Sequence, residues 1–401
     1  MKNVVLITLD ATRKDVFGLY GNINGLTPFV DSLKDRSMVF TRSQSAGPYT
    51  QASFPAILCS GYYLDYGKPE GLAPQRAIVS EVLQKAGIYT AGFHSNPYCS
   101  SVLGWDRGWD VFYDSLDDDL EDERLSYVRG HTINAKVVQW LSSYVKKKDR
   151  APFFLWIHYM DVHEPYMPEK SYIDMVDPGI KISQDEMYTL FEDTLLKRDV
   201  SDPAGVALLK RLYDVHVREV DTYVQSLFKS LEDLDILDSS TVIITSDHGD
   251  EFNEHGGLSH DDKLYAELID VPLLIYGTGS SGVCYNLVSS VDIPPTILHL
   301  FGIDPAAPFQ GQSLLPVGAY IEKGAFGEAI DNKSVKGGDI NKDTYFCREG
   351  DLKLIYRADP DRWELYDLKD DPGELQDIAP SSKETGRLQS RLKPRIKRWI
   401  K

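Results

Sequence analysis

Short apolar runs that stop abruptly at polar residues recur along most of the chain. Four of them cover residues 4–9, 153–157, 241–244 and 271–276. Continuous apolar runs of this length are typical of strands buried on both faces, as in a parallel sheet. The pattern therefore predicts a sheet whose strands are scattered widely through the sequence.

Two segments between the predicted strands have the periodicity of amphipathic helices. Residues 208–234 place leucine and valine on one face at helical spacing, and residues 76–86 show a shorter version. The alternation of strands and helices predicts an α/β fold, with a large, mostly parallel mixed sheet flanked by helices. Ligands bind such sheets at the carboxyl ends of the strands, so polar residues just past those ends are the functional candidates.

The pattern changes after about residue 316. Residues 344–347, 353–356 and 363–367 form short alternating runs typical of antiparallel strands, and a basic helix is predicted over residues 382–401. We expect a catalytic domain over residues 1–315. A small C-terminal subdomain, an antiparallel sheet plus a helix, follows over residues 316–401.

Composition agrees with a globular protein and narrows the choice of partner. The 401 residues are 42% hydrophobic and 26% charged, with a formal net charge of −18. This charge argues against a nucleic-acid binder, because phosphate backbones require clustered Lys and Arg. A small anionic substrate is still allowed, since it responds to the local field of a pocket.

Cysteine spacing and hydropathy bear on location. The four cysteines show no CxxC pairing, which favours a reducing compartment over a disulfide framework. No apolar run approaches the roughly 18 residues that a membrane span requires. The sequence therefore predicts a cytoplasmic protein with no membrane partner.

Two acidic positions at predicted strand ends are candidate metal ligands. Asp10 ends the first run, and Asp247-His248-Gly249 follows the run at 241–244. A carboxylate and an imidazole at adjacent positions can both turn toward one ion once the strand has ended. For Asp10 alone, a helix N-cap is the competing interpretation.

Thr50 is the candidate for the group that binds or attacks an anion. A turn containing Gly47 and Pro48 delivers it to a predicted helix start. Backbone N–H groups and the helix dipole favour anions at such a position. Here too a simple N-cap is the alternative.

Histidines gather near the predicted strand ends and loops. Four of the nine in the chain are His158, His163, His255 and His260. Any one of them could be a buried structural histidine. Their clustering predicts that at least two are functional.

Six segments in the same order resemble the sulfatase family of the alkaline phosphatase superfamily. They are residues 3–10, 27–33, 245–249, 264–274, 291–298 and 364–374. The resemblance implies an alkaline phosphatase-like fold and an ester hydrolase. It also implies one divalent metal ion held by Asp10, Thr50, Asp247 and His248, and His163 and His260 on the substrate side. Mixed N and O ligands suit Mn²⁺, Zn²⁺ or Mg²⁺ at least as well as Ca²⁺.

The sequence departs from the family pattern in three places. Sulfatases proper use a formylglycine made from Cys or Ser in a C/S-x-P-x-R context, whereas this chain has Thr50-Gln51-Ala52-Ser53-Phe54. Threonine cannot yield an aldehyde at that carbon. The family's Gly-Lys-Trp-His element is replaced by a segment containing Asn96, which we assign to substrate binding. Asp10 is followed by Ala11 instead of a second Asp.

These departures predict a metal-dependent hydrolase of phosphate or sulfate esters that uses Thr50 as nucleophile and forms a covalent intermediate. Thr50, His163 and His260 are the predicted catalytic residues, and phosphoesters or phosphodiesters are preferred over sulfate esters. Three alternatives stay open: a transferase that passes a phospho group to an acceptor alcohol, a true sulfatase, and a catalytically silent protein that binds a metal or an anion.

Overall fold

A computed structural model describes residues 2–67, 71–260, 263–304, 308–330 and 343–399. Its central feature is an eight-stranded sheet in the order β10-β2-β9-β6-β1-β5-β3-β4. The strands are β1 Asn3–Leu9, β2 Ser37–Gln44, β3 Tyr89–His94, β4 Val111–Asp114, β5 Phe153–Tyr159, β6 Ser240–Ser246, β9 Leu273–Tyr276 and β10 Gly282–Ser289. A two-stranded hairpin, β7 Glu251–Phe252 and β8 Leu258–Ser259, lies between β6 and β9 in the chain.

The direction of the strands decides where the functional residues meet. β9 runs antiparallel to β2 and β6, whereas the other neighbouring pairs of the sheet are parallel. The carboxyl ends of β6, β1, β5 and β3 therefore lie side by side at one edge. The predicted mostly parallel mixed sheet is confirmed.

Helices cover both faces of this sheet. They are α1 Pro28–Ser32, α2 Thr50–Cys59, α3 Val79–Lys85, α4 Gly130–Tyr144, α5 Lys170–Val176, α6 Gln184–Leu190, α7 Pro203–Asp233, α8 Ala266–Ile269 and α9 Ile293–Leu300. Alternate residues of β1 enter two separate hydrophobic cores, as the period of a strand requires. Val5 and Ile7 pack with the long helix α7, whereas Leu6 packs with α2, α3 and α9.

A second sheet follows in the chain. Its strands β11 Ala325–Ala329, β12 Thr344–Glu349, β13 Leu352–Arg357 and β14 Arg362–Asp367 are antiparallel in sequence order. The last helix, α10 Glu384–Trp399, packs Leu388, Leu392 and Ile396 into the core of this sheet. The separate antiparallel sheet agrees with the sequence pattern, and the boundary between residues 315 and 316 stays a prediction.

The second sheet contacts the loop that leads from β2 to α2. Glu328 N–H donates to the Ala46 carbonyl at 3.0 Å. Tyr49 Oη exchanges hydrogen bonds with Ile330, donating to its carbonyl at 3.1 Å and accepting from its N–H at 2.9 Å. A Cβ on Gly327 would lie 2.3 Å from the Ala46 oxygen, so the close approach requires glycine there. The C-terminal region of the chain therefore holds the loop before α2 in place.

A buried ion pair connects the second sheet with helix α8. Lys353 Nζ lies 2.8 Å from Glu374 Oε1, and both side chains are fully buried. Glu374 Oε2 also accepts from the Ala266 N–H at the start of α8, at 2.6 Å. The pair therefore connects the C-terminal sheet with the helix that precedes β9.

Lys353→Met is expected to destabilise the protein by about 3–5 kcal/mol, because it leaves the Glu374 carboxylate buried without its cation. Urea unfolding curves measure the effect, with Lys369→Met as the control because Lys369 is exposed. Equal unfolding midpoints for the two variants would contradict this expectation.

Candidate active site

Three ligand-type side chains converge at the shared edge of the central sheet. Asp10 follows β1, and Asp247 and His248 follow β6, its parallel neighbour. All three are fully buried, and their ligand atoms lie within 4.8 Å of one another. Gly249 lets the chain pass close to α8, since a Cβ there would lie 2.1 Å from the Glu267 carbonyl oxygen. Residues that are remote in sequence thus form one compact group.

Thr50 lies beside this group as the first residue of α2. The N-cap residue is Tyr49 and Thr50 lies inside the helix, so the N-cap interpretation of Thr50 is wrong. The hydroxyl instead lies 3.5 Å from Asp247 Oδ2 and accepts from Asn96 Nδ2 at 3.1 Å. A Cβ on Gly47 would lie 2.2 Å from the Ala52 Cβ, so glycine is needed for the chain to enter α2 in this way.

Asn96 lies between the carboxylate and the hydroxyl. Its Nδ2 group donates to Asp10 Oδ2 at 2.7 Å as well as to Thr50, and its Oδ1 accepts from the Tyr98 N–H at 2.9 Å. The amide is therefore fixed in one orientation. Because the Nδ2 group donates to Asp10 and Thr50, a substrate that contacts Asn96 would lie next to Thr50.

The protonation of the group is set by burial and by neighbouring charges. Burial acts to raise the pKa of Asp10, but the hydrogen bond with His158 and the nearby histidines outweigh it and hold that pKa well below its usual range. Burial and the Asp10 charge raise the pKa of Asp247 well above its usual range. Burial, aided by the nearby His260, lowers the pKa of His248 to about 3. The imidazole of His248 is thus neutral, the form that binds metals.

Two buried atoms of this group have no hydrogen-bond partner among the described residues. They are Asp10 Oδ1 and His248 Nε2, which lie 3.6 Å apart. Leaving such atoms unpaired costs about 1–3 kcal/mol each, and more for charged groups. A divalent cation would bind both atoms and would offset the repulsion between the Asp10 and Asp247 carboxylates. The residues therefore fit a metal ion.

A second set of side chains lies on the more open side of the group. The rings of His163 and His260 are 4.9 Å apart, and the rings of His260 and His248 are 4.3 Å apart. His260 Nδ1 lies 2.7 Å from Asp250 Oδ1 and 3.7 Å from Glu164 Oε2. Burial opposes protonation of His260, but these two carboxylates raise its pKa to about 10.

The structure also contains ligand-type groups that the sequence did not indicate. His163, Glu164 and His260 form one set and His248, Asp250 and His260 another, each with ligand atoms within 4.8 Å. Asp250 and Glu164 are charged partners of His260 that the sequence pattern does not indicate. Asp250 lies two residues after His248, and Glu164 follows His163.

The other two candidate histidines differ in position. His255 Nδ1 lies 2.7 Å from Glu267 Oε1 and its ring stacks on Tyr265, so it is part of the packing around α8. His158, at the end of β5, lies with its Nε2 3.0 Å from Asp10 Oδ2. In the sequence, His158 comes directly after the apolar run at 153–157. That position was the signal that it lies near Asp10, because β5 ends beside β1.

Comparison with known proteins identifies the family. The sequence model described as Sulfatase matches residues 2–303. The chain belongs to the sulfatase family. A further model, described as N-sulphoglucosamine sulphohydrolase, C-terminal, matches residues 254–401 of the chain. The predicted resemblance is confirmed, and the expected class of ester hydrolase agrees with it.

Individual relatives share the family at low identity. N-acetylglucosamine-6-O-sulfatase of Bacteroides thetaiotaomicron is 28% identical over 228 residues, which is 49% of this chain and 38% of that protein. Arylsulfatase K of Gallus gallus is 24% identical over 438 residues, 96% of this chain and 80% of that protein. The chain thus spans well under half of the first relative's length and most of the second's.

Solved structures share the fold. Phosphonate monoester hydrolase of Agrobacterium radiobacter superposes with a TM-score of 0.79 at 18% identity, covering 99% of this chain and 95% of that one. A protein solved in complex with its substrate D-glucosamine-2-N,6-O-disulfate gives a TM-score of 0.81 at 19% identity, covering 100% and 98%. No helix in the described part of this chain has the length and apolarity to cross a membrane.

Proposed function

We propose that this sulfatase-family protein is a metal-dependent hydrolase of phosphate or sulfate esters in which Thr50 is the nucleophile, with phosphoesters and phosphodiesters preferred over sulfate esters. The observation that supports it is the place of the Thr50 hydroxyl. It lies at a helix start, held by Asn96, next to a buried group in which two ligand atoms lack a partner within the described ranges. A hydroxyl that only capped a helix would not be oriented by a neighbouring amide in this way.

Asp10, Asp247, His248 and the Thr50 oxygen are the atoms that would hold the cation. A bound divalent ion would lower the pKa of the Thr50 hydroxyl and neutralise charge on the substrate. The donor set of carboxylates, one imidazole and a hydroxyl accommodates Mn²⁺, Zn²⁺, Mg²⁺ or Ca²⁺.

In the first step, which forms the covalent intermediate, each residue has a separate role. Asn96 donates to one lone pair of the Thr50 oxygen, and Asp247 Oδ2 is the acceptor toward which the hydroxyl proton is directed. The Thr50 oxygen forms a bond to phosphorus while the bond from phosphorus to the alcohol oxygen breaks. Protonated His260 supplies the proton that the departing alcohol oxygen takes up.

The second step returns the enzyme to its starting state. Water attacks phosphorus in line, the bond from phosphorus to Thr50 breaks, and His260 takes a proton from the water. Thr50 recovers its own proton from Asp247. His163 Nδ1 donates to the Glu164 carbonyl at 2.7 Å, which leaves Nε2 of that ring to face the substrate oxygens.

The preference for phosphorus rests on the nucleophile. Formylglycine lets a sulfated intermediate collapse by elimination, without attack of water on sulfur. A sulfate ester of Thr50 has no such route and would accumulate, whereas a phosphothreonine can be hydrolysed directly. The structural likeness to a phosphonate monoester hydrolase is compatible with chemistry at phosphorus.

Hydrolysis of a sulfated sugar is the second candidate. The curated relatives named above are sulfatases, and one structural neighbour was solved with a disulfated glucosamine. On this alternative the anion occupies the same position beside Thr50, His163 and His260.

Rates on matched aryl phosphate, aryl phosphodiester and aryl sulfate, each with Mn²⁺, Zn²⁺, Mg²⁺ and Ca²⁺, distinguish the two. We expect a higher kcat/KM on one of the phosphorus substrates with at least one metal. Multiple turnovers on the sulfate at a higher kcat/KM than on either phosphorus substrate would establish a sulfatase instead.

A further inference from the structure

A buried row of hydrogen bonds lies behind the Asp10 carboxylate. Trp156 Nε1 donates to Thr8 Oγ1 at 3.0 Å, Thr8 Oγ1 lies 2.9 Å from His158 Nδ1, and His158 Nε2 lies 3.0 Å from Asp10 Oδ2. All four side chains are fully buried. The parallel register of β1 and β5 places Thr8 opposite His158, so the row is built into the sheet.

The chemistry of the partners fixes the orientation of the His158 ring. An indole nitrogen can only donate, so the Thr8 oxygen accepts from Trp156. The Thr8 hydroxyl lies 3.3 Å from the Ile157 carbonyl oxygen and 2.9 Å from His158 Nδ1, and Nδ1 also lies 3.2 Å from the Thr8 carbonyl oxygen. A carboxylate only accepts, so the His158 Nε2 that faces Asp10 must carry a hydrogen. The ring is therefore held by Thr8 at Nδ1 and donates to Asp10 from Nε2.

The row leaves the two oxygens of Asp10 in different states. Oδ2 accepts from His158 and also from Asn96 at 2.7 Å. Oδ1 has no hydrogen-bond partner among the described residues and faces His248 Nε2. One oxygen is thus held by the protein, and the other is left for a ligand.

We propose that His158 is a positioning residue, held by Thr8 and Trp156, that orients Asp10 so that Oδ1 alone is presented to a divalent cation. The inference rests on the cation site of the proposed function and adds a residue that does not touch the cation. Outer partners of this kind fix the orientation of a metal ligand, and their loss weakens metal affinity by about 10–100-fold.

A neighbouring histidine provides a matched control. His94 on β3 lies opposite His158 on β5 and is equally buried. Both of its ring nitrogens lack a partner in the described part of the chain, and its ring stacks on Trp156. His94→Leu therefore removes a buried imidazole from the same row of the sheet without removing a hydrogen bond to Asp10.

The test is calorimetric titration of the chelator-treated 401-residue chain with Mn²⁺ alone, which needs no substrate. His158→Leu should weaken Mn²⁺ binding by about 10–100-fold. His158→Gln should retain most of the affinity, because its amide can donate from near the position of Nε2. Thr8→Val should cause an intermediate loss, and His94→Leu should bind as the wild type does.

The outcomes separate this inference from the proposed function. If the wild type binds Mn²⁺ and His158→Leu binds it equally well, the positioning role is wrong and the cation site stands. If His94→Leu weakens binding as much as His158→Leu, general packing explains the loss and the inference is also wrong. If the wild type binds none of Mn²⁺, Zn²⁺, Mg²⁺ or Ca²⁺, both proposals are wrong. Should His158→Leu not fold, Thr8→Val decides, and unchanged affinity there contradicts the inference.

Discussion

Thr50→Ala is expected to lower kcat by about 10³-fold or more, the scale seen when a catalytic nucleophile is removed. The free energy of unfolding should change by no more than about 1 kcal/mol, because Tyr49 and not Thr50 is the N-cap residue of α2. The measurement is steady-state turnover of the better phosphorus substrate, together with urea unfolding of the same samples. Intact mass of the wild type, quenched during turnover, should show the substrate group on Thr50.

Two further variants make this result specific. Thr50→Ser keeps a hydroxyl and should retain measurable turnover. Ser53→Ala removes another buried hydroxyl from the same helix, one that donates to the Thr50 carbonyl at 3.2 Å, and should leave kcat nearly unchanged. Near-normal activity of Thr50→Ala would show that water attacks the substrate directly and would exclude the covalent intermediate.

His260→Ala is expected to lower turnover of a phosphoester by about 10²-fold or more, and His163→Ala by a similar factor. The carboxylates of Asp250 and Glu164 keep His260 protonated and facing the site. An alkyl ester has a poor leaving group and needs the proton, whereas a nitrophenyl ester does not. The loss caused by His260→Ala should therefore be larger on the alkyl ester.

The control for this prediction is His255→Ala. His255 forms an ion pair with Glu267 and stacks on Tyr265, and neither contact involves Thr50. Its removal should lower stability and leave kcat close to that of the wild type. An equal loss on alkyl and nitrophenyl esters for His260→Ala would mean that His260 binds the substrate and does not protonate the leaving group.

Much of the fold could be predicted because the buried strands have a strong pattern. The apolar runs at 4–9, 153–157 and 241–244 correspond to β1, β5 and β6, and the periodic segment 208–234 corresponds to α7, Pro203–Asp233. The strands β2 and β10 were not predicted. Their sequences, SMVFTRSQ and GVCYNLVS, mix polar and apolar residues without a regular period. Pairing in the sheet decides their conformation, and pairing is a tertiary property.

The candidate site divides in the same way. Asp10 and Asp247-His248 could be selected because each follows a strand end, and parallel strands bring such ends together. The partners of His260 could not be selected from the sequence, because Asp250 and Glu164 meet only through the fold. The sequence correctly predicts Thr50 at the start of a helix. It does not predict that the hydroxyl accepts a hydrogen bond from Asn96. The catalytic roles of all these residues stay predictions.

The hydrogen bonds between the second sheet and the loop before α2 bear on how such proteins can be recombined. Ala46 and Tyr49 are hydrogen-bonded to Glu328 and Ile330. The segment that leads to Thr50 is therefore shaped by residues far along the chain, and Ile330 lies 281 positions after Tyr49. In a chimera that exchanged the C-terminal sheet alone, the new sheet would not match the loop that positions Thr50. Swaps between relatives should therefore transfer residues 45–49 together with β11, as one unit that is discontinuous in sequence.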